Sequence, residues 1–580
     1  MAEPTFNSDA DTLALLGKKQ VLKRRFGFWS LFGFAVCELI TWETVLALFS
    51  QAFENGGPAG LVYGFIIAWS STLSVYTVIS ELASLAPIAG GQYYWVYMLA
   101  PPKWKVFCSY IIGWLTSLAW VATVAVETIF AGTILQGLVV LNHPDYDSSL
   151  LWRGTFLAWA CLLLCVLVNV LLPGSLPKFE IFIIVFHISG FIAVVATLWA
   201  TAPRSPSHLV WATSLNEGGW PTQGISYCVG FLGNVATFVG ADASVHLAEE
   251  TSNAAKNIPR AILCSMCLNG AVGFVMMITV LYSLGDVESV LSTPTGYPFI
   301  QVFAIQNTAG ASVMVAVVLC LTWACALGIT TTASRMTWAF ARDRGMPFSR
   351  YLGKVAKHNR VPIVAACAAS GLAALLHLIY IGSSVAFNDV VSLTITGFYS
   401  SYFLPAAMLL YRRVKGQVAD YRPPRHANYD PEGGINNDNN GVVEKNNGTQ
   451  GATVEATNSN DNNAVATDDD HDHGHENRRR LSVIQAPLMW GPFHLPGWFG
   501  IINNAYACTY MIFVIFWSVW PPATPVTAES MNYSVVVTGG VIAFSIVWYL
   551  IRGKDEYHGP LIDDEVAKII RRASIVSIEA

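Results

Sequence analysis

Six ionisable side chains stand inside runs of otherwise apolar residues: Glu38 and Glu43 in GFAVCELITWETVLALFSQAF (33–53), Glu127, His187, and Asp242 and His246 in FLGNVATFVGADASVHLAEE (231–250). An Asp at the centre of a bilayer costs about 2.5–3.5 kcal/mol on insertion scales. Such a group persists where it faces a water-filled path, a charged solute or a partner. Carboxylates hold ammonium groups and carry protons, and an imidazole titrates near neutral pH. The chemistry these residues support is therefore recognition of a cation and movement of protons across a membrane. Two stretches also mix small or hydroxyl residues with the charge in mid-run: Leu39–Val45, and the region of Gly233, Asn234, Gly240, Ala241 and Asp242. A helix interrupted there exposes backbone N–H and C=O groups, which is tolerated only where the backbone lines a cavity. The positive end of a half-helix suits an anion and the negative end a cation.

The elements that must position these groups are membrane helices. Of the 580 residues, 53% are hydrophobic and 12% charged; soluble domains average about 25% charged. A span needs roughly 20 apolar residues, and twelve such runs are expected: 28–49, 58–80, 106–138, 154–172, 180–201, 223–247, 261–284, 308–338, 362–381, 389–411, 498–519 and 532–551. No segment alternates with period two, which argues against a β-barrel. With twelve spans, Lys18, Lys19, Lys23, Arg24, Arg25, Lys103, Lys105, Lys178, Lys256, Arg260, the basic cluster of 342–360, Arg412, Arg413 and Lys415 fall on one side, and only Arg153 and Arg204 on the other. The positive-inside rule assigns the first side, with both termini, to the cytosol. Spans one and six lie five apart, and matched interruptions in two halves predict inverted five-helix repeats. The fold class expected is an all-α integral membrane protein of twelve transmembrane helices, with helices 1 and 6 broken.

The chain is expected to divide into a cytosolic tail (1–25), a ten-helix core (26–411), a largely disordered cytosolic loop (412–494), helices eleven and twelve (495–552) and a second cytosolic tail (553–580). The loop is rich in Asn, Asp, Gly and His, as in GGINNDNNGVVEKNN, and such a segment cannot bury enough apolar surface to fold. Its His471, His473 and His475 read as a solvated tract rather than a metal site. RRRLS at Ser482 and RRAS at Ser574 have the form of basic-directed kinase sites. Asn447 fits the glycosylation pattern, which a cytosolic position leaves unused. A cleavable signal peptide is not expected, because the first apolar run is too long and lacks a small-residue cleavage site. The eleven Cys are scattered without zinc-type spacing, so no metal is expected. No phosphate-cradling loop or nucleophile elbow argues for an enzyme.

Four stretches carry a family resemblance. ENGGPAGLVYGFIIAWSSTLSVYTVISELASLAPIAGGQYYWVYMLAP (54–101) resembles the second and third helices of the amino acid–polyamine–organocation superfamily. FVGADASVHLAEETSNAAKNIPRAI (238–262) resembles the sixth helix and its cytosolic exit in fungal GABA and choline permeases. SRMTWAFARDRGMPFSRYLGKVAKHNRVP (334–362) and WGPFHLPGWFGIINNAYACTYMIFVIFW (490–517) resemble the loop after helix eight and the start of helix eleven. The resemblance implies a LeuT-like fold, ten helices in two inverted halves plus two more. It implies uptake of a small nitrogenous solute, such as an amino acid, GABA, choline or a polyamine, by alternating access. The plasma membrane is the family's usual place, the vacuolar membrane the second.

In relatives, small residues at the helix-1 break bind the substrate carboxylate through backbone N–H groups. Counting back from Gly56-Gly57 sets that break at Trp42, Glu43 and Thr44. A bulky aromatic and an acid stand there instead, so Glu43 is expected to meet a substrate ammonium and Trp42 to offer it a cation–π face. The implied substrate-binding set is Thr41, Trp42, Glu43, Thr44, Phe238, Val239, Gly240 and Asp242, with Phe238 as an aromatic gate. His187 stands roughly where some proton-coupled relatives carry a Lys; it and Glu127 are the proton-coupling candidates. The proton is the coupling ion expected, with no cofactor. The partners expected are the solute and the lipid bilayer, without nucleic acid. Two other readings stay open: a transporter-like nutrient sensor, and an exporter or exchanger of a zwitterionic metabolite.

Overall fold

The long apolar runs become long helices. The computed structural model describes residues 9–285, 287–305, 307–421, 488–528 and 530–561. Helices α1 (Phe28–Leu39) and α2 (Thr41–Ala47) flank a one-residue break. They are followed by α3 (Gly57–Leu85), the short α4 (Gln92–Leu99), α5 (Lys105–Asn142), α6 (Leu151–Leu171) and α7 (Leu176–Thr201). Helices α8 (Gln223–Ala236) and α9 (Ala243–His246) flank a second break. Then come α10 (Ala254–Tyr282), α11 (Thr308–Arg342), α12 (Ile363–Gly382), α13 (Ser384–Val414), α14 (Gly497–Trp517) and α15 (Ser534–Trp548). Local chemistry sets several starts. Pro lies in the first turn of α3 and of α7, where its missing N–H loses no helical bond. The Thr222 hydroxyl and the Asn307 side chain accept from the N–H groups of Ile225 and Gly310, in the first turns of α8 and α11, the usual N-cap role.

Among the described residues, eleven helices are long and apolar enough to cross a membrane. The twelfth expected run, 223–247, is not among them, because its helix stops at Ala236 and resumes only at Ala243. The outer faces suit lipid. Leu163, Leu164 and Leu167 on α6, Phe182, Val185 and Ile192 on α7, and Leu372, Leu375 and Leu378 on α12 are all exposed, a far larger apolar surface than a water-facing monomer shows.

One end of the bundle gathers the basic loops. There the Gln20 amide donates to the Glu249 carbonyl (2.7 Å), Arg25 to that of Asn359 (2.7 Å), Asn359 to that of Val170 (3.0 Å) and Arg412 to that of Leu99 (3.1 Å). The opposite end joins Ser205 to Tyr282 (2.8 Å), Glu217 to Glu54 (2.9 Å), Asn55 to Pro522 (2.9 Å) and Tyr533 to Asp389 (2.9 Å). Burial, and then the neighbouring Glu217, push the Glu54 carboxyl above its ordinary range at this second end.

The basic end is sealed by ion pairs. Glu81 meets Arg413 (2.5 Å), Glu249 meets Arg342 (2.8 Å), and Glu250 meets Arg335 (2.8 Å), each arginine coming from within a helix, α13 or α11, rather than from a loop. At its centre the Asp343 carboxylate accepts from the Lys18 ammonium, the Tyr93 hydroxyl (2.8 Å) and the Leu561 backbone N–H (3.1 Å). Lys18 is 1% exposed. Burial pulls its ammonium below the ordinary range, against the attraction of Asp343. Asn447, His471, His473, His475, Ser482 and Ser574 lie outside the described residues.

Candidate functional site

The first break lies at Ile40, not at Trp42–Thr44 as counting from Gly56-Gly57 predicts. Ile40 has φ 30° and ψ 48°, a left-handed conformation that a β-branched residue adopts only under constraint. The constraint comes from α10. The Asn269 side chain accepts from the Thr41 N–H (3.1 Å) and donates to the Val36 carbonyl (3.3 Å), one bond on each side of the break. Thr44 N–H and hydroxyl both donate to the Ile40 carbonyl, at 2.9 and 3.0 Å, so Thr41–Thr44 already form the first turn of α2.

The second break covers 237–242. Gly233 and Asn234 stay inside α8, while Gly240, with φ +117°, turns the chain where only glycine is comfortable. A Cβ on Gly240 would lie 3.1 Å from the Glu38 carbonyl oxygen, and the Thr41 hydroxyl donates to the Thr237 carbonyl at 3.1 Å. The two breaks therefore touch. The Tyr76 hydroxyl accepts from the unwound N–H groups of Gly240 (3.0 Å) and Ala241 (3.2 Å).

Asp242 is bound on both oxygens, by the Gln92 amide (2.7 Å) and the Tyr402 hydroxyl. His246 lies 3.8 Å from it but is engaged elsewhere. One ring nitrogen, Nδ1, is 2.8 Å from the Ala89 carbonyl, which can only accept, and Nε2 accepts from the Trp120 indole N–H at 2.9 Å. That pattern fixes a neutral imidazole with its proton on Nδ1. Phe238 is buried with its ring 4.9 Å from that of Phe65.

Glu43 meets His187 of α7: Oε1 lies 2.8 Å from Nδ1, and both side chains are buried. Glu43 Oε2 and His187 Nε2 have no protein partner. The Trp42 ring lies 5.9 Å from the His187 ring and 6.3 Å from Phe191, and it covers the pair from one side. Glu38 differs. Both of its carboxylate oxygens lack a hydrogen-bond partner although the residue is 2% exposed. It lines a cavity of about 30 Å³ together with Thr44, Glu127, Phe130, Val239 and Thr394, room for about two waters. A Cβ on Gly328 would collide with the Glu38 side chain, so that glycine makes space for it. Leu48 and Phe130 line this cavity and also a cleft of about 500 Å³ on the side of Glu54, Tyr297 and Asp389. That volume falls within the range of roughly 300–1,000 Å³ of small-molecule sites.

Of the residues singled out in the sequence, Thr44, Val239 and Glu127 line the small cavity. Thr41, Gly240 and Asp242 hold the two breaks in shape, and Glu43, Trp42 and His187 form a cluster on the α7 side. Sequence reasoning missed Asn269, Gln92, Tyr76 and Tyr402, which hold the breaks, and Leu48 and Phe130, which divide cavity from cleft. A lone amide in the apolar run of α10 is the one signal that Asn269 gives; the tyrosines give none.

A profile for amino acid permeases matches residues 26–427. A protein of Macrophomina phaseolina whose name suggests amino acid or polyamine transport is 28% identical over 87% of this chain and 96% of its own length. A choline transporter of Saccharomyces cerevisiae is 27% identical over 93% of the chain and 83% of its own length. An amino-acid permease of Arabidopsis thaliana is 25% identical over 96% and 97%. The all-helical, multi-pass architecture agrees with these likenesses, and the chain belongs to the amino acid permease family of the amino acid–polyamine–organocation superfamily.

Proposed function

We propose that this permease moves a small nitrogenous solute with a cationic group, of the amino acid, choline or polyamine kind, by proton-coupled alternating access. The observation that carries this reading is Glu38: a buried carboxylate without a partner, facing a cavity that it shares with Glu127 beside both helix breaks. Two acids on one small cavity favour a cation, and the apolar side chains of Val126, Phe130, Ile329 and Val391 beside them would meet its carbon skeleton once the cavity, now about two waters in size, has widened. The solute enters through the cleft, passes Leu48 and Phe130, and reaches the acids. On this reading the closed contacts around Asp343 belong to a conformer open away from the basic end. Release requires the converse, with those ion pairs parted. The Glu43–His187 pair supplies the proton-binding step: a buried carboxylate and imidazole in contact hold or lose one proton between them, and solute bound at Glu38 and Glu127 changes the field they feel.

The test is uptake of labelled GABA, lysine, choline and putrescine by permease-deficient yeast expressing the full chain, with and without an uncoupler. Saturable uptake of one solute that collapses with the uncoupler is the expected result. Uptake indifferent to the uncoupler overturns proton coupling. No uptake by a chain located at the cell surface overturns the uptake reading in favour of a sensor or an exporter.

A further inference from the structure

Helix α7 buries one stripe: Leu176, Glu180, Ile183, His187, Gly190, Val194 and Leu198. The spacing of three and four residues is that of a single helix face turned to the protein, while Ile181, Phe182, Val185 and Ile192 on the other side are exposed. A stripe that only packed would be apolar throughout. This one holds two ionisable groups seven residues apart, two turns or about 10 Å along the axis. His187 is the partner of Glu43. Glu180 has no role in the site described above. It is 1% exposed, and its Oε2 has no hydrogen-bond partner. It lies on the basic-end side of His187, since Val170, just before α7, receives Asn359 at that end.

The groups around Glu180 leave it without a counter-charge. From α1, the helix packed against this stripe, come Cys37 and Glu38, neither of them a cation. A Cβ on Gly33 of α1 would lie 2.5 Å from the Glu180 carbonyl oxygen, so the two helices meet almost backbone to backbone. From α2 comes Glu43, already bound to His187. From α11, Cys325 donates to the Glu38 carbonyl (3.7 Å), while Arg335 and Arg342 are held by Glu250 and Glu249. On α10, Cys264, Cys267, Lys256 and Arg260 are exposed, as is Lys178 on α7 itself. Asp242 is bound on both oxygens, and Glu81, open on Oε2, still has the Arg413 guanidinium on Oε1. Glu180 has an open oxygen and, among the described residues, no cation in contact.

Resting on the proton-coupled reading above, we infer that Glu180 is the inner proton station of the permease, receiving the proton that leaves the Glu43–His187 pair and delivering it to the basic end. The step is a proton transfer alone. The imidazolium of His187 returns to imidazole, the Glu180 carboxylate becomes a carboxylic acid, and release to water at the basic end restores it. Glu38, on the facing helix, or a water bridges the interval.

The experiment uses the full-length protein in proteoliposomes and whichever of GABA, lysine, choline or putrescine the wild type carries. Two rates are read: accumulation driven by an imposed pH gradient, and exchange of labelled for unlabelled solute at equal pH. Glu180→Gln keeps the shape and is expected to retain exchange while gradient-driven accumulation falls by about tenfold or more, the scale on which a lost proton-transfer group shows itself. Glu180→Asp is expected to recover part of the loss. Accumulation by Glu180→Gln equal to wild type overturns the inference. So does loss of exchange and accumulation together, which would make Glu180 a packing residue of the α1–α7 contact. A wild type indifferent to the pH gradient overturns proton coupling itself, an outcome distinct from either of these.

Discussion

At Ile40 the chain leaves helical geometry for one residue; at 237–242 it does so for six. The longer break is the better satisfied. Tyr76 takes up two of its free N–H groups, and Gln92 and Tyr402 occupy both oxygens of Asp242. The shorter one is clamped by a single amide, Asn269, and the acids beside it are left with open oxygens, both on Glu38 and one on Glu43. How much backbone unwinds therefore does not decide how well the polar groups beside it are satisfied. The protein holds Asp242 on both oxygens and Glu38 on neither, and the role proposed for Glu38 rests on that contrast.

Substitutions break or sharpen this contrast, and thermal unfolding of the detergent-purified protein ranks them. Asp242→Ala strands the Gln92 amide and the Tyr402 hydroxyl in the core and is expected to cost about 3 kcal/mol or more, the largest loss of the set. Asn269→Ala removes both clamps of the Ile40 break and is expected to cost about 2 kcal/mol; transport should fall with it, because α1 and α2 lose their fixed angle. Thr41→Val deletes the one hydroxyl bond between the breaks, a loss of about 1 kcal/mol. Glu38→Gln is expected to leave the unfolding midpoint unchanged or raised, since a neutral amide replaces an unpaired buried carboxylate, and yet to abolish uptake at normal surface expression. A Glu38→Gln protein that unfolds early, or an Asp242→Ala protein as stable as wild type, reverses the assignment of the two breaks.

Much of the framework is readable from the chain. Apolar run lengths mark the spans, and the alternation of basic loops matches the grouping of Lys18, Glu249, Asn359 and Leu561 at one end. The break at 237–242 is visible because Gly240 and Asp242 interrupt an apolar run. The break at Ile40 is not, because nothing local favours it. A β-branched residue is driven into a left-handed turn by an asparagine 228 residues downstream of Thr41. Glu180 escapes notice for a different reason. It begins the apolar run 180–201 and so reads as a boundary charge, whereas α7 starts at Leu176 and folds it inward. Glu43 is legible as an anomaly, but its partner His187 is fixed only once α2 and α7 are packed together.

Lys18 is among the early residues of the chain to be synthesised and Leu561 among the late ones, yet both close on Asp343. During translation Lys18 has no counter-ion to be buried with until the end of α11 has been made, and the Leu561 N–H then joins a carboxylate whose two oxygens Lys18 and Tyr93 already hold. Closure of this face therefore draws together an early stretch, a middle one and a late one, and so belongs to the later stages of folding.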